Sequence, residues 1–143
     1  MSTPAMTAQS PAADRAGPDH LRTTLRIDSW STAVFGVVML VGGKWLSDPL
    51  GLPTTWSVPF GVAMLGGAAA LALVVGYPKI PFRLAATVVV GNILSCVALV
   101  LLAFTDVVPL TGLGRGFMAI GAVVVAVFAE FELVGLRRSS SSR

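Results

Sequence analysis

Apolar residues along this chain fall into four long blocks, Trp30 to about Leu46, Trp56 to Tyr77, Leu84 to Phe104 and about Leu113 to Leu133. Each is close to the roughly 20 residues that a helix needs to cross a hydrocarbon core about 30 Å thick. The short alternating runs of a membrane β-barrel are not the pattern here. Between the blocks stand helix breakers: "SDPLGLPTT" (Ser47 to Thr55), "YPKIP" (Tyr77 to Pro81) and "TDVVPLTGLG" (Thr105 to Gly114). The pattern predicts an all-α fold, an integral membrane four-helix bundle with helices at about 29–46, 56–77, 83–104 and 113–135. Lys44, near the end of the first block, can extend its ammonium to the headgroups while its stem stays in lipid. Connections this short make sequential helices antiparallel neighbours.

Displacing the chain by about 55 residues sets Thr32 on Thr87, Gly36 on Gly91, Gly61 on Gly116 and Gly66 on Gly121. The two helical hairpins therefore read as parallel repeats, unlike the inverted repeats of many secondary transporters. Outside the spans, residues 1–21 are rich in Pro, Ala, Ser and Thr without a hydrophobic period. They read as a disordered cytoplasmic tail, and 139–143 as a second one, leaving 22–138 as the transmembrane domain. The first apolar block lies too deep in the chain, and ends too unlike a small-residue cleavage site, for a secretory signal.

Composition agrees with the pattern: the 143 residues are 55% hydrophobic and 12% charged, with a mean hydropathy of +0.82. Charge then orients the chain. With four spans, Arg15, Arg22, Arg26, Lys79, Arg83, Arg137, Arg138 and Arg143 share one side, against Lys44 and Arg115 on the other. By the positive-inside rule both termini are cytoplasmic, with Trp30 and Tyr77 at the inner interface and Trp45 and Trp56 at the outer one. The pI near 9.8 follows from topology and calls for no nucleic-acid partner. Anionic lipid is the expected partner of the basic ends.

Few residues can carry chemistry. The one histidine, His20, falls in the tail, so intramembrane haem ligation is not expected. The one cysteine, Cys96, has no pair for thiol oxidation and reads as an inert thiol within the third span. Nothing resembles a catalytic triad, a phosphate-binding glycine loop or a metal-ligand cluster, so no enzyme activity, cofactor or metal ion is expected.

Four polar residues stand out. Asn92 is the most central, and an unpaired amide in hydrocarbon is costly, so it is expected to face protein and bond to another helix. Beside it, Thr87, Gly91, Ser95 and Ala98 form a small-residue stripe suited to close helix contact. Asp28 is expected at the entry to the first helix, where it can cap exposed amides. Glu130 and Glu132 lie about 200° apart around their helix and cannot share a face. Glu130, on a stripe with Gly116, Ala119, Val123 and Ala126, is expected at a helix contact, with Glu132 near enough to the end to reach water. Leu133 and Val134 occupy i+3 and i+4 from Glu130, so its cation must come from another helix, and Arg83, ahead of Lys79 or Arg26 at the same inner level, is the expected partner in a structural ion pair.

The elements "LRID" (Leu25 to Asp28), "GLP" (Gly51 to Pro53), Asn92, "LTGLG" (Leu110 to Gly114) and "ELVGLRR" (Glu132 to Arg138) together resemble a group of small four-span bacterial integral membrane proteins of unknown function. The doubled hairpin with "LSDP" is also faintly similar to SPW-repeat membrane proteins, although Ser47, Asp48 and Pro49 stand where Ser-Pro-Trp is expected. The first resemblance covers about residues 22–138 and implies the bacterial inner membrane. Neither implies an activity. The expected function is that of a non-enzymatic accessory or assembly partner, engaging a membrane-protein partner or further copies of itself. The alternative is a small transporter or channel component in which Glu130 or Asn92 contacts the substrate.

Overall fold

The computed structural model describes the backbone of residues 11–141 and the side chains of residues 19–138. Its elements are α1 (Pro11–Leu50), α2 (Thr54–Gly76), α3 (Phe82–Phe104) and α4 (Gly112–Ser141), with no strand among the described residues. All four helices are long and apolar enough to cross a membrane. The protein is an all-α bundle of four candidate spans.

The breakers act where the hydrophobic pattern places them. Pro53 precedes α2 and Pro81 precedes α3, each in an extended conformation that cannot continue the preceding helix. Gly51 takes φ 63°, a left-handed conformation that a side chain would strain. At the other end of the chain the boundaries shift. Helix α1 runs back to Pro11 and α4 on to Ser141, so residues 11–21 and 139–141, assigned above to tails, are helical. Packing accounts for the turns from residue 19 onward: Leu21 and Leu25 are 3% and 1% exposed, and a Cβ on Gly135 of α4 would meet Leu21. That burial supplies what the composition of the segment lacks. Residues 1–10, 142 and 143 lie outside the described part.

Helix α1 packs on α2 and on α4, and α3 packs on α4, whereas α2 and α3 barely meet despite the short connection between them. The helices thus form an arc in the order α2, α1, α4, α3. Near the α2–α3 connection, Leu21 and Leu25 of α1 join Leu71 and Val74 of α2 and Ala85 of α3 in one buried cluster. Gly36 and Gly61 let α1 and α2 cross closely: a Cβ on either would lie about 3 Å from the other's carbonyl oxygen. Their counterparts in the 55-residue repeat, Gly91 and Gly116, face open space. The two hairpins share a sequence rhythm and pack differently.

The apolar core consists of two layers. One, at the end holding the α1–α2 and α3–α4 connections, gathers Met39, Leu50, Leu52, Ala103, Val108, Leu110 and Met118. The other, toward the α2–α3 connection, contains Leu21, Leu25, Leu71, Val74, Ala85 and Leu136. Each end is also tied by hydrogen bonds. Thr111 donates its N–H to Leu50 O at 3.0 Å and its hydroxyl to Pro49 O at 2.6 Å. At the opposite end the Arg22 guanidinium donates to the carbonyls of Tyr77 and Pro78 at 2.8 and 2.9 Å. Trp45, Trp56 and Tyr77 are exposed at or near helix ends, as anchors at the water boundary must be. Trp30, expected with Tyr77 at the inner interface, is exposed about 12 Å farther along α1 than Arg22, which bonds the Tyr77 carbonyl, so it stands on the apolar part of the span.

The connection tie can be tested at Gly114, where an added Cβ would collide with the Leu50 carbonyl, whereas one on Gly67 would meet nothing. Gly114→Ala should lower stability by about 1–3 kcal/mol, the usual cost of overpacking. Gly67→Ala should leave it unchanged or raise it, by up to about 1 kcal/mol. Thermal denaturation of both variants in the same detergent separates the two outcomes.

Candidate functional site: two carboxylates bridged by an amide

Between the two apolar layers lies a polar one. It is built from seams that the helix period dictates. On α1, Leu21, Leu25, Asp28 and Thr32 recur at spacings of three or four, and Asp28 is 4% exposed. On α4 the buried seam is Met118, Ala122, Ala129, Glu132 and Leu136, with Glu132 at 0%. On α3, Ala85 and Val89 lead to the half-buried Asn92 and Cys96. Packing α1 and α3 against α4 brings the three polar side chains of these seams together.

Asn92 Nδ2 donates to Asp28 Oδ2 at 3.0 Å and to Glu132 Oε2 at 2.9 Å. One amide nitrogen carries two hydrogens, so its donor capacity is complete. The two carboxylates therefore lie no farther apart than two hydrogen-bond lengths. Thr32 donates its hydroxyl to Asp28 Oδ1 at 3.1 Å, which satisfies the second oxygen of that carboxylate. Glu132 has no such support: its Oε1 is buried and has no hydrogen-bond partner. Asp28 stands about 9 Å along α1 from Arg22, and Glu132 about 9 Å along α4 from Arg138, at 1.5 Å per residue. The cluster is thus two helical turns inside the basic end of the bundle.

Asn92 does bond to other helices, and its partners are acids. Asp28 lies well inside α1, where the amides are already paired within the helix, so it bridges instead of capping. Glu132, expected to reach water, is the most buried acid among the described residues. Glu130 is exposed and makes no ion pair with Arg83, which is exposed as well. Arg83 lies about 13 Å below Asn92 along α3, and Asn92 is level with Glu132, so the guanidinium is out of reach of the fourth helix at that height. The small-residue stripes contribute little contact. Thr87, Gly91, Ser95 and Ala98 are exposed, as are Gly116 and Val123, with Ala119 and Ala126 half-buried. Residue size chose the wrong faces, because lipid accepts small residues as readily as a neighbouring helix does.

The other candidates are placed differently from expectation or are already engaged. Cys96 Sγ donates to Ala122 O at 3.4 Å across the α3–α4 contact. His20 belongs to α1, with its ring against Phe131 of α4 at a centroid distance of 6.2 Å. Chemically, the cluster offers hard oxygen donors: two carboxylates, a hydroxyl and an amide that can present either its nitrogen or its oxygen. Among the described residues, no cationic side chain donates to either carboxylate. No family model, curated protein sequence or solved structure matches the chain. The site is read from its own geometry.

Asn92→Leu should cost more than a typical intramembrane hydrogen bond of about 0.6–1.7 kcal/mol, because it leaves two buried acids without their shared donor. The effect should shrink when Asp28 and Glu132 are first replaced by Asn and Gln. A double-mutant cycle read by thermal denaturation in detergent measures that coupling. A coupling of zero would mean that the amide does not hold the acids together.

Proposed function

We propose that this protein is a non-enzymatic accessory or assembly subunit of the bacterial inner membrane, and that it binds one monovalent cation, a proton or Na⁺, at the Asp28–Asn92–Glu132 cluster. A buried carboxylate pair with an unpartnered Glu132 oxygen supports this reading. Two acids removed from water require positive charge nearby, and the amide that joins them is neutral. A single small cation offsets one of the two charges and lets the amide and hydroxyl bonds hold the other. Since the cluster joins α1, α3 and α4, its occupancy sets how firmly these helices hold together. The ties at each end of the bundle and the extensive apolar outer surface suit a scaffold that other membrane proteins pack against. Both termini and the basic ends are placed in the cytoplasm on the charge count, where Arg138 would meet anionic lipid.

A second reading has its own observation. The cluster lies between two apolar layers, each drawing on both hairpins, which is how an occluded site in a carrier is closed toward both faces. In that case the protein is a small transporter or channel component, and Asn92 contacts the transported ion.

A ligand that binds the folded state raises stability with its concentration. Wild type should therefore gain thermal stability either on addition of Na⁺ at constant pH and ionic strength, if sodium is the ligand, or on lowering pH without Na⁺, if it is a proton. In the proton case stability is highest at low pH and declines as the proton leaves, and Glu132→Gln should abolish the dependence. A melting temperature insensitive to both would overturn the cation site. Orientation is tested separately: with Cys96 replaced, a cysteine at Thr54 should label only from outside and one at Arg138 only from the cytoplasm.

A further inference from the structure

Glu130 presents a problem that the cluster does not solve. It is exposed on the outer surface of α4, about 12 Å along the helix from Arg138, and none of the described residues pairs with it. It edges a groove of about 250 Å³ between α3 and α4 whose other walls, Ile93, Cys96, Val97, Ala126 and Leu133 among them, are otherwise apolar. A carboxylate on a lipid-facing apolar surface is costly and calls for a partner.

The bundle carries a surface of opposite charge. On the outer face of α1, Arg26, Trp30, Ser31, Val34 and Phe35 form an open, largely apolar surface. Arg26 is exposed and is its one charged residue, as Glu130 is at the edge of the α3–α4 groove, whose lining is apolar throughout. The two charges lie at nearly one membrane level. Asp28 and Glu132 share a height because Asn92 bonds both. Arg26 stands about 3 Å below that height on α1 and Glu130 about 3 Å above it on α4, a stagger that an arginine side chain spans. Within one molecule the charges face outward from different helices and form no ion pair.

We propose that the protein self-associates in the membrane with parallel copies, the outer α1 face of one molecule packing on the α3–α4 face of the next, so that Arg26 pairs with Glu130 of the neighbouring copy. Several features favour a second copy. Parallel insertion puts opposite charges at matching depth, the guanidinium can satisfy the carboxylate through two hydrogen bonds, and the surrounding apolar walls exclude water from the pair. Trp30 supplies a broad anchor that is 72% exposed in the single molecule. The self-association is independent of cation binding at the buried cluster, which uses neither residue.

The test is a charge exchange with the full chain in lipid nanodiscs or bilayers, reading oligomeric state against protein-to-lipid ratio. Arg26→Glu and Glu130→Arg should each weaken association at least about tenfold, equivalent to about 1.4 kcal/mol. The double exchange should restore it. In the Cys96→Ala background, Val34→Cys and Val97→Cys lie at similar depth and should form an intermolecular disulfide. If the reversed charges prevent insertion, Arg26→Gln and Glu130→Gln provide the same comparison, each weakening association with no further loss when combined. A wild-type chain that is monomeric at every ratio, a double exchange that inserts without restoring association, or an oligomer lacking the Val34–Val97 crosslink overturns the proposal.

Discussion

The NH₂ group of Asn92 holds the centre of this bundle together. It is the one donor shared by carboxylates from two other helices, so the positions of α1, α3 and α4 all depend on it. Apolar contact cannot enforce such registry inside a membrane. Lipid tails compete with side chains on equal terms, and leucine against leucine is satisfied at many offsets. An amide with two hydrogens and two fixed acceptors is satisfied at one. A shift of α4 by a single residue would move Glu132 by about 1.5 Å and rotate it by about 100°, which removes it from the bond. The Met118–Ala122–Ala129–Leu136 seam is thereby fixed against α1 and α3.

The end ties divide the remaining work. Arg22 reaches two carbonyls freed by the α2–α3 connection, and Thr111 closes the α3–α4 connection onto Pro49 and Leu50. These bonds lie at the bundle ends, where water can replace them at small cost. The central bonds do not have that alternative. Polar contacts therefore grow more consequential from the ends toward the middle, while the apolar layers above and below keep solvent from the cluster.

Much of the fold was legible in the sequence because a bilayer imposes a simple requirement of length and apolarity, and four blocks with proline and glycine between them meet it. Asn92 was legible for a similar reason, being too polar and too central to face lipid. The acids were harder. Glu130 lies on a stripe of small residues and Glu132 nearer a helix end, so residue size and distance to water both pointed to the wrong one. The available signal was the seam that continues from Met118 through Ala122 and Ala129 to Glu132 and Leu136, with Gly135 admitting Leu21 beside it. Asp28 was misplaced because the N-terminal helical turns depend on contact with α4, and no local pattern announces that contact. The open α2–α3 edge was equally hidden, since loop length limits how far apart two helices start and not what comes between them.

What remains is why the bundle keeps acids at its centre. Replacing a buried ionic group with well-packed apolar residues is often neutral or stabilising, by about 1–4 kcal/mol in favourable cases. Here Ala85, Val89, Ala122 and Ala129 already show that close apolar packing is accommodated on the same seams. Registry alone could be met by Asn92 and one neutral acceptor, such as a glutamine at position 132. Two carboxylates exceed that need, and the unpartnered oxygen of Glu132 adds a cost that the fold does not require. An arrangement that sacrifices stability at one location, while satisfying hydrogen bonds around it, marks the place where structure yields to function. The cluster therefore has the character of a binding element, and it lies where α1, α3 and α4 meet.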